Sequence, residues 1–204
     1  MTILNGYCTL AELQAWEKQR SGPAISTDTG DDAVMETLIE AASRHIDGET
    51  ARYFYKEGTD STMYYTAKDS RRVDLPDYAS ITSVSVDYSL TRSYTLLVAT
   101  DYDTLPDNSA AEGRPIDGLE ITPTSTAYFP TQRRGVKIIG KRGRPAVPLD
   151  VKEACLLIAQ AVGASRSGQS SIGRVTVTAA GVVIRPEDVP AKAQAIINHY
   201  KNIR

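Results

Sequence analysis

The segment richest in potential chemistry is Gly135-Val136-Lys137-Ile138-Ile139-Gly140-Lys141-Arg142. It follows the phosphate-cradling pattern G-x-x-x-x-G-K up to the final place, where Arg142 replaces the Ser or Thr whose hydroxyl would hold magnesium. Its interior Val-Lys-Ile-Ile is strand-like, and Pro145 and Pro148 leave no room for the helix that should follow at once. The segment therefore reads as a strand running into a basic turn. Arg133, Arg134, Lys137, Lys141, Arg142 and Arg144 succeed one another without an intervening acid. Such a run suits an exposed strand end or hairpin that meets either nucleic acid or an acidic surface.

Other candidates are weaker. Asp101-Tyr102-Asp103-Thr104-Leu105 opens like a calcium loop, but the sixth position has no Gly and the fifth no ligand, so a turn with solvated carboxylates is expected. His45 and His199 are the two histidines, without close Cys or carboxylate partners at metal-ligand spacing. His45 reads as a helix-surface residue, and His199 as that or an interface residue. Cys155 reads as a small buried hydrophobe, whereas Cys8 precedes a helix start that would lower its pKa. No Ser-His-Asp order carries local signature residues. No catalytic residue, metal or cofactor is expected.

The elements that position these residues follow from pattern. Thr9-Leu10-Ala11-Glu12 has capping-box spacing, and Leu10, Leu13 and Trp16 follow on one side of a short helix ended by Ser21-Gly22-Pro23. A second helix starts in the acidic cluster Asp28 to Asp32 and carries Met35, Leu38, Ile39, Ala42, Ile46 and Tyr53 at helical spacing to about Phe54. A third opens at Pro148-Leu149-Asp150 and is apolar almost all round from Val151 to Ala164. Leu38, Ile39, Ile46, Val151, Leu157 and Ile158 are expected in the core. A fourth runs from about Val189, with Ala193, Ile196, Ile197 and Tyr200 on one stripe and Lys201 and Arg204 in the last turn.

Between the second and third helices, Val84, Val86 and Tyr88 alternate with Ser83, Ser85 and Asp87, the period of a half-buried strand. Met63–Thr66, Tyr94–Val98, Leu119–Thr122 and Val136–Ile139 are further strands. The Ser/Gly-rich stretch 163–173 reads as a flexible loop, and the runs 175–177 and 182–184 as a hairpin. The fold class is α+β. Residues 1–55 and 146–204 form a helical core with a C-terminal hairpin and arm, and residues 56–145 a β-rich insertion.

Composition bounds the function. The 204 residues carry a formal charge of −2, which argues against a dedicated nucleic-acid or membrane binder. No run is apolar enough to span a bilayer, and the first residues lack the pattern of a secretory signal. Two cysteines suit a reducing compartment. The charge is polarised: residues 1–60 hold 5 basic and 11 acidic residues, residues 61–130 hold 5 and 10, and residues 131–204 hold 13 and 4. Such ends either neutralise one another within one fold or pair between copies. Eleven tyrosines against two phenylalanines suit half-buried strands or surfaces covered on assembly.

Taken in order, Tyr7-Cys8-Thr9-Leu10-Ala11-Glu12-Leu13, then residues 31–43 with Thr50-Ala51-Arg52-Tyr53-Phe54, then Ala146-Val147-Pro148-Leu149-Asp150-Val151-Lys152-Glu153-Ala154-Cys155, resemble the head–tail connector (adaptor) family of long-tailed bacteriophages. The resemblance covers about a third of the chain. It implies a structural virion protein, made in the host cytoplasm, that docks as a commonly dodecameric ring beneath the portal after DNA packaging. The ring extends the DNA channel and receives the next neck or tail-completion protein, with transient proximity to genomic DNA and no membrane. Ala193, Ile196, Ile197, Tyr200, Lys201 and Arg204 are then the expected portal-binding arm. The basic run from Arg133 to Arg144 becomes an inter-subunit or channel-facing patch. A dense row of unpaired cations would retard DNA that has to slide, which favours the neighbouring subunit. The long stretch from Lys56 to Arg144 departs from shorter members of that family. A basic-patch nucleic-acid-binding module and a small enzyme with an unrecognised site are the alternatives.

Overall fold

Helix α1 (Leu10–Ser21) begins with the capping box in place: the Glu12 amide donates to Thr9 Oγ1 at 3.2 Å, and the Thr9 amide donates to Glu12 Oε2 at 2.8 Å. Leu13 is buried, and the Trp16 indole donates to Gln160 at 3.2 Å. The computed structural model describes residues 5–21, 29–166, 177–178, 181–182 and 189–201. These form two compact units, one from residues 1–52 and 147–204 and the other from residues 53–146. The chain is α+β.

In the first unit, α2 (Thr29–Thr50), α3 (Leu149–Arg166) and α4 (Ala191–Tyr200) pack with α1. Helix α2 buries Leu38, Ile39, Ala42 and Ile46, one continuous stripe. It ends at Thr50 rather than near Phe54. Thr50 Oγ1 donates back to the Ile46 carbonyl at 2.7 Å and accepts the Arg52 amide at 3.3 Å, while Ala51 turns left-handed at φ 52°. Helix α3 buries Val151, Ala154, Cys155, Ile158, Ala159 and Val162, the i, i+3, i+4, i+7 face. Leu157 lies off that face and is only half-buried, and Leu156 is buried instead. At Gly163 a side chain would meet Leu38 Cδ1 at 3.3 Å, so the missing Cβ sets how closely α3 approaches α2.

Strands β7 (Val177–Thr178) and β8 (Gly181–Val182) pair antiparallel, with Val177 opposite Val182. The other residues of the expected hairpin lie outside the described residues. So does most of the expected loop, whose first four positions, 163–166, are instead helical.

The second unit is an antiparallel sheet of β1 (Ser61–Tyr65), β2 (Arg72–Val86), β3 (Thr95–Leu96), β4 (Tyr102–Leu105), β5 (Ile116–Ile121) and β6 (Val136–Arg142). The order is β1-β6-β2-β5-β4, with β3 on β2. The long β2 kinks at register shifts around Asp74/Tyr78 and Ile81/Ser83, so its first half pairs with β5 and its second half with β6 and β3. Gly140 permits the close crossing there, since a Cβ would collide with the Ser80 carbonyl oxygen. One face packs Val73, Leu75, Val84, Leu119, Phe129 and Ile138 into the core. Tyr102–Leu105 is a strand and not the expected turn. Its residues pair with β5, while Asp101 makes the turn before it by accepting the Val98 amide at 3.0 Å and the Ser125 hydroxyl at 2.8 Å.

Candidate interaction surfaces

The basic run divides into two physically different halves. At its C-terminal end, Arg142 donates through Nε to Glu57 at 3.0 Å, and Arg144 reaches Asp77 at 3.5 Å. These side chains are a quarter exposed or less. Arg142 also lies over the Tyr53 ring at 5.1 Å, and Arg144 over Phe54 at 5.5 Å. Gly143 makes this clamp possible: it sits at φ +95°, where a Cβ would collide with the Tyr55 carbonyl. Arg142 and Arg144 are therefore engaged inside their own unit. Glu57 is held below the usual carboxylate range despite partial burial, because Ser61, the Arg142 amide and the Arg142 guanidinium all favour its charged form.

At the N-terminal end the arrangement opens outward. Arg133 and Arg134 are exposed and Lys137 is partly exposed, and none of the three makes an ion pair among the described residues. The Arg134 guanidinium stacks 4.1 Å over Tyr64, and Lys137 lies 5.6 Å over Tyr94. Tyr64 and Tyr94 contact each other with ring centroids 5.6 Å apart. The turn is pinned from beneath. Arg92 donates to the Arg133 carbonyl at 2.9 Å, Tyr94 donates to the Arg134 carbonyl at 2.8 Å, and the Arg134 amide donates to Thr66 at 3.1 Å. Asp87, 1% exposed, accepts the Arg92 amide at 2.9 Å and the Ser89 amide at 3.2 Å, which ends β2 before Tyr88. Sequence reasoning did not place Arg92, Tyr64 and Tyr94 in this patch; the tyrosine excess was the available signal.

At the opposite edge of the sheet the charge is reversed. Asp103 on β4 stands directly across from Glu120 on β5, and both are exposed. Neither makes an ion pair among the described residues.

The α4 stripe is positioned differently from an outward-facing arm. Ala193 and Ile197 are buried within the helical unit, Ile196 is half-buried, and the Tyr200 hydroxyl donates to the Asp150 carboxylate at 2.9 Å. Lys201 pairs with Glu49 at 3.0 Å, and Lys192 pairs with Glu153. Arg204 lies outside the described residues.

The candidate reactive groups also find structural roles. Cys8 and Cys155 are both buried, with sulfurs 3.6 Å apart. The Cys155 contact and burial push the Cys8 thiol up, the reverse of the lowering expected from its place before a helix. His45 is half-buried rather than on the surface, its Nε2 is buried without a hydrogen-bond partner among the described residues, and burial lowers its pKa. His199 is exposed. Among the described residues no His, Cys, Asp and Glu gather in a group able to hold a metal ion. No helix among them is long and apolar enough to cross a membrane.

No protein-family model matches the chain, and no curated protein matches it. Among solved structures, a chain from the neck of an empty GTA particle, computed with C6 symmetry, superposes with a TM-score of 0.59 at 18% identity. The match covers 100% of this chain and 94% of that one. The two chains share a fold.

Proposed function

We propose that this chain is a structural, non-catalytic subunit of the neck of a phage-like particle. In this reading it forms an adaptor ring docked beneath the portal, extends the DNA channel and receives the next neck or tail component. The observation that carries the reading is the full-length correspondence of both units with a neck chain. A dodecameric ring is compatible with the C6 symmetry of that neck. Ring subunits need two different surfaces that fit one another, a heterologous contact that closes. The separation of charge between the two sheet edges suits that requirement.

The portal contact of this reading falls on α4, on the side away from the core. Because Ala193 and Ile197 are occupied inside the helical unit and Lys201 is paired with Glu49, the half-buried Ile196 and the exposed His199 are α4 groups placed to meet a partner.

The test is a particle-producing strain lacking this chain, complemented with a tagged copy. DNA-filled heads without tails in its absence, with the tag at the head–tail junction on complementation, support the reading. Normally tailed particles without the chain overturn it.

A further inference from the structure

Among the described residues, the β sheet has two unpaired edges of different character. Strand β1 pairs on one side with β6, and β4 on one side with β5. The sequence of β1 is Ser-Thr-Met-Tyr-Tyr, without a charge, a proline or a register shift. Sheets normally protect an edge with one of these devices, and an edge lacking all of them is a template for another strand. The cations lie beside this edge: the Arg134 guanidinium is stacked on Tyr64 of β1 itself, and Lys137 is the cross-strand neighbour of Tyr64. At the other edge, Asp103 of β4 opposes Glu120 of β5 as a like charge; Arg72 of β2 is the neighbour of Glu120 on its far side, which leaves Asp103 as the acid on the edge strand itself.

Length also agrees. Successive strands along the path β1-β6-β2-β5-β4 pair antiparallel. The strands match in length, five residues against four.

We propose that the β1 edge of one subunit pairs with the β4 edge of the next, with Arg134 and Lys137 facing Asp103 and Glu120, so that a continuous sheet joins neighbouring subunits. The occupant of the basic edge is thus a second copy of this chain and not DNA. The proposal rests on the reading of the chain as a ring-forming subunit.

The test uses the full chain with Arg134→Asp, Asp103→Arg and both together. Both positions are exposed, and Asp tolerates the left-handed backbone of residue 134 (φ 60°), so folding is checked by melting and is expected to be unchanged. Self-association is read by sedimentation velocity and native mass spectrometry over a concentration series. Each single reversal should weaken it roughly tenfold or more, and the double variant or an equal mixture of the two singles should recover it. Association unchanged by the reversals overturns the pairing, as does a wild-type chain that remains monomeric throughout. Loss of duplex-DNA binding by Arg134→Asp with association intact overturns it in favour of a nucleic-acid surface. The tag location described above is independent of these outcomes, so the edge pairing can fail while the neck reading stands.

Discussion

Arg142 and Glu57 form an ion pair at 3.0 Å across 85 residues of sequence, closing the end of β6 onto the segment that leads into β1. Both side chains are more than three-quarters buried. Removing one partner leaves the other charge poorly solvated, which costs more than the pair contributes. Arg142→Ala should destabilise the protein by about 1–3 kcal/mol in urea denaturation. Arg133→Ala, in the exposed half of the same run, should stay within about 0.5 kcal/mol of wild type. Equal losses would mean that the basic run is not divided as described.

Leu38 lies in the middle of the α2 stripe, 6% exposed and close to Gly163 of α3. Leu38→Ala should cost about 2–5 kcal/mol, read as a lowered melting temperature. An unchanged melting temperature would argue against this helical packing.

Ile197 tests what the C-terminal helix does. It is 1% exposed, so Ile197→Ala should cost about 2–4 kcal/mol in the isolated protein, before any partner is present. Lys192→Ala, on an exposed ion pair, should change stability by less than about 1 kcal/mol. Truncation before Val189 removes Ala193 and Ile197 together, and the shortened chain should lose stability as well as any docking function.

His45 makes stability pH-dependent. Burial lowers its folded pKa, opposed by Glu49 and assisted by Lys201, so the unfolded chain takes up the proton first. Stability from this group is complete above the unfolded value of about 6.5 and falls as pH drops below it, until the folded pKa is reached. His45→Gln should flatten the stability slope immediately below pH 6.5. An identical slope in the variant would remove His45 as its source.

Cys8 and Cys155 should be silent to an aromatic disulfide reagent in the native protein at neutral pH and should both react after denaturation. Rapid native labelling of Cys8 would show that the segment before α1 does not stay packed on α3.

The parts of the fold legible in the sequence are those fixed by neighbours in the chain. The Thr9/Glu12 capping box and the α2 and α3 stripes are set by spacings of three and four residues, and the structure has them. The end of α2 was hidden because Tyr53 happens to continue the helical period, while the turn is made by Thr50 and Ala51. Strand β4 was hidden because Asp-Tyr-Asp-Thr-Leu becomes a strand only beside β5. The division of the basic run was not legible either, since the acids that engage Arg142 and Arg144 lie 85 and 67 residues away.

The pairing of β1 with β6 also governs the order in which the chain can fold. Ser61 meets Gly140 across 79 residues, and Cys8 meets Cys155 across 147. Contacts of such long sequence separation form slowly, because the loop must close before they are rewarded. On the ribosome β1 and β2 emerge well before β6, and α1 and α2 well before α3, so each waits with an apolar face uncovered. The nested arrangement means that the middle of the chain can close first and the two ends only afterwards. Synthesis thus passes through a stage in which half of the helical unit exists without its partner, the stage at which holdase chaperones would have the most to bind.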